Sequence, residues 1–202
     1  LADSGANSII IYGGANRQVT TQRIDEILSH FSAGDYILLQ NEISNVGYAI
    51  RAAKAMGMKV AFNPSPLSDE LFSYPLELVD VFILNELEGQ AIAQAGSDDG
   101  RTVMNALADR FPQAAIILTL GSKGVMYHDA ERDVEYPAYQ VPVVDTTGAG
   151  DTFCGYFLAC SMNGMAPEQA LSIATKASAL AIGKKGAAVS IPTMAEIKAA
   201  VF

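Results

Sequence analysis

Short apolar runs recur along the chain, each bounded by polar or turn-forming positions. Most are followed by segments whose apolar residues fall three and four apart. "SIIIY" (8–12) reads as a strand entering the turn "GGAN" (13–16). A helix follows near 21–31, with Ile24, Ile27, Leu28 and Phe31 on one stripe. "YILLQ" (36–40) is a continuous apolar strand, and the helix after it, near 44–56, stops at Gly57. "KVAFN" (59–63) is a strand closed by Pro64 and Pro66, while "VFIL" (81–84) and "AIILTL" (115–120) are buried strands, each near a helix-type segment. From 124 to 144 the pattern shortens to "VMYH", "VEYPAY" and "VPVV", three small strands of antiparallel character. Helices then cover 150–162 and 167–182, the second opening on Pro167 and carrying a small-residue face of Ala170, Ile173, Ala174, Ala177 and Ala181. A last helix starts at "TMAE", where Thr193 and Glu196 form a capping box.

Alternating strands and helices, with strands apolar on both faces, predict a mostly parallel, doubly wound α/β sheet with helices on both faces. No repeat, low-complexity tract or linker divides the 202 residues, so one domain is expected over 1–202. Half the residues are hydrophobic and 17% are charged, as in an ordinary globular protein. A net charge of −9 argues against a nucleic-acid partner, whose phosphates require clustered Lys and Arg. It leaves room for a nucleotide held by backbone N–H groups and a metal. No apolar run is long enough to cross a bilayer, and no basic-then-apolar signal opens the chain, so no membrane partner is expected. Cys154 and Cys160 share one predicted helix on different faces, which fits buried small hydrophobes and a reducing cytoplasm better than a disulfide or metal site.

In such sheets the ligand meets the carboxyl ends of the strands. Glu42, Asn63, Asn85 with Glu88, Thr119 with the turn "GSKG" (121–124), and Asp145 all fall there. The sharpest signal is "DTTGAGD" (145–151), where Gly148, Ala149 and Gly150 leave backbone N–H groups at a helix start, a place that favours anions. No Gly-Lys-Ser/Thr follows, so this is not a Walker loop, and it is not a dinucleotide fingerprint either. Asp151, directly after the glycines, can accept a proton from a substrate hydroxyl while the amides hold the phosphoryl oxygens in transfer.

The loop and its small-residue, aromatic helix resemble the signature of the ribokinase-like carbohydrate kinases. The resemblance covers essentially the whole chain, with "GGAN" (13–16), "LLQNE" (38–42), "NPSP" (63–66), "VDVFILNELE" (79–88), "LTLGSKG" (118–124) and "KKGAAVSIP" (184–192) in the family's order and approximate spacing. It implies ATP-dependent phosphoryl transfer to a sugar hydroxyl, with Asp151 as base and the amides of Ala149, Gly150 and Asp151, after Gly148, as the anion hole. Asn85 would face the nucleotide phosphates, and Glu88 would order Mg2+ through water. Thr119, Gly121, Ser122, Lys123 and Gly124 would line the adenosine side, with Thr175 at the adenine. Glu42 would contact the sugar. Asp145, Thr147, Ser190 and the carbonyls of Ala181, Lys184 and Gly186 would ring a monovalent cation such as K+, whose charge would balance Asp145.

Read from the residues alone, Glu42 is equally a solvated acid, and Lys123 an exposed turn lysine. His30 and His128 stand isolated and suit surface or packing roles. The resemblance also implies that roughly the family's first third, with most sugar contacts and part of a β lid, lies before Leu1. Residues 1–16 would then be the trailing part of that lid, and the longer protein would form a homodimer through it. Ribose is the first acceptor to consider, with fructose, another ketose or a nucleoside as alternatives. A non-catalytic sugar- or nucleotide-binding regulator on the same fold is the other class.

Overall fold

The computed structural model describes residues 12–202. The strand expected over 8–12 and the lid segment expected over 1–16 therefore lie outside the described residues up to position 11. From there "GGAN" leads into a 3-10 turn over Gly14–Gln18. The described residues gather in two compact units. One comprises residues 12–119 with Met126–Asp133, the other Leu120–Val125 with Val134–Phe202.

Six strands form one sheet in chain order: β1 (Tyr36–Gln40), β2 (Lys59–Asn63), β3 (Val81–Asn85), β4 (Ala115–Thr119), β5 (Val125–His128) and β6 (Asp133–Tyr136). The first four run parallel, with Leu39 beside Phe62, Phe62 beside Phe82, and Phe82 beside Ile116. Their bounds match the apolar runs because each run stops where Gly, Pro or a polar cap takes over. Helices α1 (Thr21–Leu28), α2 (Val46–Ala55), α3 (Glu86–Ala93) and α4 (Gly100–Arg110) belong to the same unit. Consecutive residues point to opposite faces of a strand. Val60, Ala61 and Phe62 are all fully buried, as are Ile116, Ile117 and Leu118, so both faces of the central sheet are covered. Gly89 lets α3 sit tightly on β4, since a Cβ there would lie 2.7 Å from Leu118 Cδ1. At the far end of β3, Asp80 accepts from Lys54 Nζ at 2.9 Å and from the Val60 N–H at 2.8 Å, tying α2 to the sheet.

The other unit is helical. Here α5 (Ala149–Met162) packs on α6 (Pro167–Ile182), and α7 (Met194–Ala199) follows, its Thr193–Glu196 capping box formed as expected. Ala170, Ala174, Ala177 and Ala181 are buried, and Ile173 is half-buried. Cys154 and Cys160 are free, buried thiols.

Two expectations change. Helix α1 ends at Leu28, so Ile24 and Leu28 are buried while Ile27 and Phe31 are exposed. "VPVV" is not a strand: Pro142 has no N–H to donate, and the N–H groups of Val144 and Asp145 both go to the Ile182 carbonyl. Among the described strands, β1 lies at an edge of the sheet. Among the described residues its one strand neighbour is β2, and Leu38 is 48% exposed.

Candidate active site

The loop 145–151 is set by backbone geometry. Gly148, at φ +75°, caps α5 from the left-handed region, and a Cβ on it would stand 3.5 Å from the Cα and Cβ of Ala187. Thr152 N–H donates to the Gly148 carbonyl, and Ala149 N–H to the Thr146 carbonyl at 3.2 Å. One of the three expected anion-hole amides thus already closes a turn. The next, Gly150, is exposed, with nothing within 4 Å of where a side chain would begin. Asp151 is exposed in the first turn of α5, where a carboxylate also complements the helix dipole. Burial and the Asp151 charge push the Cys154 thiol up to about 12, which keeps it a neutral packing group at neutral pH.

Asp145 is buried at 3% exposure. Its Oδ1 accepts from Thr147 N–H at 3.0 Å and its Oδ2 from Gly186 N–H at 2.9 Å. These contacts, the Gly186 N–H foremost and the Thr147 hydroxyl and N–H next, hold its carboxyl below the ordinary value despite burial. Backbone N–H groups therefore already compensate its charge, a role the sequence had given to an ion alone. Gly186 reaches this position at φ +102°. Around it, the Ala181 carbonyl accepts from Lys184 N–H at 3.0 Å, and Ser190, 1% exposed, donates its hydroxyl to the Ala187 carbonyl at 2.7 Å. Asp145, Thr147 and Gly186 are thus in direct contact, and Ser190 joins them through Ala187.

In the same unit, Gly121–Lys123 forms an exposed 3-10 turn closed by Leu120 N–H to the Gly124 carbonyl at 2.8 Å. Gly124 has no room for a side chain: a Cβ would meet the Tyr136 carbonyl oxygen at 2.2 Å, at φ +109°. Thr175 is buried in α6. Its Oγ1 and that of Thr152 are, among the described residues, the buried side-chain polar atoms without a partner. An unsatisfied buried hydroxyl costs about 1–3 kcal/mol.

The strand-end residues belong to the sheet-bearing unit. Asn85 caps α3, accepting from Glu88 N–H at 2.9 Å, and Glu88 Oε2 accepts the Asn85 N–H at 2.9 Å. The Ser65 hydroxyl also bonds Glu88. Burial nevertheless dominates and pushes the Glu88 carboxyl up, with the three bonds only moderating it. Asn63 donates to the Ile83 carbonyl at 3.1 Å, and Thr119 to the Leu84 carbonyl at 3.1 Å. Glu42 is exposed. Its neighbour Asn41, which sequence reasoning passed over, is 4% exposed and holds the Pro66 carbonyl (2.6 Å), Ser68 Oγ (2.9 Å) and Tyr74 OH (2.8 Å). Its place at the end of an apolar strand was the available signal.

Among the described residues no three His, Cys, Asp or Glu side chains gather into a metal cluster. The donors around Asp145 are carbonyls, hydroxyls and one carboxylate, a set that suits a large, undemanding cation. Glu88, buried and committed to its cap, fits magnesium only through water, as that ion commonly allows.

The model of the pfkB family of carbohydrate kinases matches residues 1–194. The ribokinase of Haemophilus influenzae is 32% identical over 203 residues, covering 97% of this chain and 65% of that protein. In structure the chain is similar to the ribokinase of Thermotoga maritima, with TM-score 0.79 and 34% identity over 98% of this chain and 66% of that one. It is also similar to Arabidopsis thaliana ribokinase complexed with ribose and ATP, with TM-score 0.78 and 27% identity over 96% of this chain and 64% of that one. The chain thus spans somewhat less than two thirds of the length of these relatives.

Proposed function

The chain belongs to the pfkB family of carbohydrate kinases, and from that premise we propose that it transfers the γ-phosphoryl group of ATP to a hydroxyl of a sugar, ribose first. The observation that carries this reading is Asp151, exposed in the first turn of α5 directly after the open backbone of Gly150. In the proposed reaction Asp151 accepts the acceptor hydroxyl's proton as the oxygen bonds to phosphorus. The amides of Gly150 and Asp151, with that of Ala149 once it is released from its turn, face the charge that develops on the phosphoryl oxygens.

We assign the adenosine side to Gly121, Ser122, Lys123 and Gly124. The unpartnered hydroxyl of Thr175 supports an adenine contact there. Asn85 and Thr119 are assigned to the nucleotide, Glu88 to magnesium through water, and Glu42 to the sugar. Asp145, Thr147, Ser190 and the carbonyls of Ala181, Lys184 and Gly186 are assigned to potassium or a similar ion, whose bound charge would stiffen the loop. A cytoplasmic location agrees with the two free, buried cysteines and with the absence, among the described residues, of a helix long and apolar enough to cross a membrane. The family resemblance supports pairing of two copies through the lid.

The test is coupled ADP release with ATP and magnesium against ribose, 2-deoxyribose, fructose and a nucleoside. Ribose should be turned over most efficiently. Absence of ADP release with any of these acceptors would overturn the reading.

A further inference from the structure

The segment between α6 and α7, residues 183–193, runs beside the loop that starts α5 and is tied to it at both ends. Near its start, Gly186 N–H donates to Asp145. In its middle, Ala187 lies against Gly148. Near its end, the Tyr156 phenol donates to the Pro192 carbonyl. The contacts keep chain order on both sides: 145 with 186, 148 with 187, 156 with 192. The loop carrying Gly150 and Asp151 therefore lies between two fixed points. The second is a side chain of α5 itself, little more than one helical turn beyond Asp151. Beyond Pro192 the strap ends in the α7 capping box, and Glu196 of that box reaches back to Lys184 at 3.1 Å. That exposed ion pair contributes little, which leaves the Tyr156 bond as the main tie at this end.

We infer that Tyr156 is a positioning residue for the phosphate-facing loop, holding the strap so that the Gly186 N–H and the Ala187 backbone keep Asp145 and Gly148 in place. Its consequence for turnover rests on the phosphoryl-transfer reading, but the mechanical claim does not. Tyr156 is half-buried, and burial, with Glu196 and Cys160 adding, raises its phenol above the ordinary value, so it remains a donor through neutral and mildly alkaline pH.

The experiment compares the protein with Tyr156→Phe, which keeps the ring and removes only the donor. Tyr48→Phe serves as control, losing a phenol bond to Asp25 in the other unit. Amide hydrogen exchange is read without ligands, then kcat and KM with ATP and ribose. The expected result is faster exchange at the bonded amides of Thr147, Ala149, Gly186 and Ser190, by about tenfold, with 157–161 of α5 unchanged. Turnover should fall about fivefold with both KM values within about twofold, the mark of lost alignment rather than lost binding. Tyr48→Phe should alter neither. Unchanged loop exchange, or a uniform rise along all of α5, would overturn the inference. If the parent protein releases no sugar-dependent ADP, the kinase reading fails, while the exchange pattern still decides the role of Tyr156.

Discussion

Two buried carboxylates, one in each unit, are driven in opposite directions. Asp145 and Glu88 are each 3% exposed, and each accepts hydrogen bonds from backbone N–H groups. Asp145 is held below its ordinary value and Glu88 is pushed above it. Burial is the leading cause at Glu88, whereas at Asp145 the donors outweigh it. Asp145 receives N–H groups on both oxygens, the Thr147 hydroxyl and the nearby charge of Lys185. Glu88 receives one backbone N–H and weaker side-chain help, from a deeper position. A carboxylate stays charged at low exposure only when the fold aims enough N–H groups at it. Asp145 shapes a loop, and Glu88 closes a helix cap.

The sharpest break of that comparison uses a third acid, Asp151, exposed in the first turn of α5 and proposed above as the base. Asp151→Asn should lower turnover at least about a hundredfold while nucleotide affinity stays within about twofold. A variant retaining a tenth of the parent turnover removes Asp151 as the base. Next in size is Asp145→Asn. An amide can accept on only one side, so the Gly186 or Thr147 N–H loses its partner and the loop shifts. Turnover should fall about tenfold or more. Glu88→Gln should leave the unfolding free energy at neutral pH within about 1 kcal/mol of the parent, since Gln also closes a capping box, and should act on the KM for magnesium-ATP. If Glu88→Gln proves more damaging to turnover than Asp145→Asn, the assignment of roles is reversed.

A smaller effect is expected from salt. Potassium should support turnover severalfold better than sodium at equal ionic strength, because general screening acts alike for both. Equal rates would count against a specific cation beside Asp145. The smallest effect is in stability against pH. The Glu88 contribution is complete below the ordinary glutamate value of about 4.3 and is lost as pH rises through its raised folded value. Asp145 contributes above about 3.9 and loses this as pH falls through its lowered folded value. As pH falls through the raised folded value toward about 4.3, acidification should therefore stabilise the parent relative to Glu88→Gln in urea titrations. Parallel curves for the two proteins would refute the raised value.

Much of this was legible in the residues. Strands β1 to β4 lie where continuous apolar runs end at Gly, Pro or a polar cap, and the boxes at Asn85–Glu88 and Thr193–Glu196 need only local spacing. The "GAG" turn announces its left-handed Gly148 and the helix start that follows, because only glycine takes that conformation at little cost. Local sequence dictates such features because the interacting groups are a few bonds apart.

What the chain order could not show depends on partners far along it. Gly186 reaches Asp145 from 41 residues away, and Tyr156 reaches Pro192 from 36. "VPVV" has the composition of a strand, yet its donors are taken by Ile182. Asn41 carries no local sign of its role, which comes from Pro66, Ser68 and Tyr74 closing around it. The opposite shifts of Asp145 and Glu88 were unreadable for the same reason. A carboxylate's charge state depends on how many donors the folded chain brings within about 3 Å and how much water it removes, and both are set by tertiary contacts rather than by neighbouring residues.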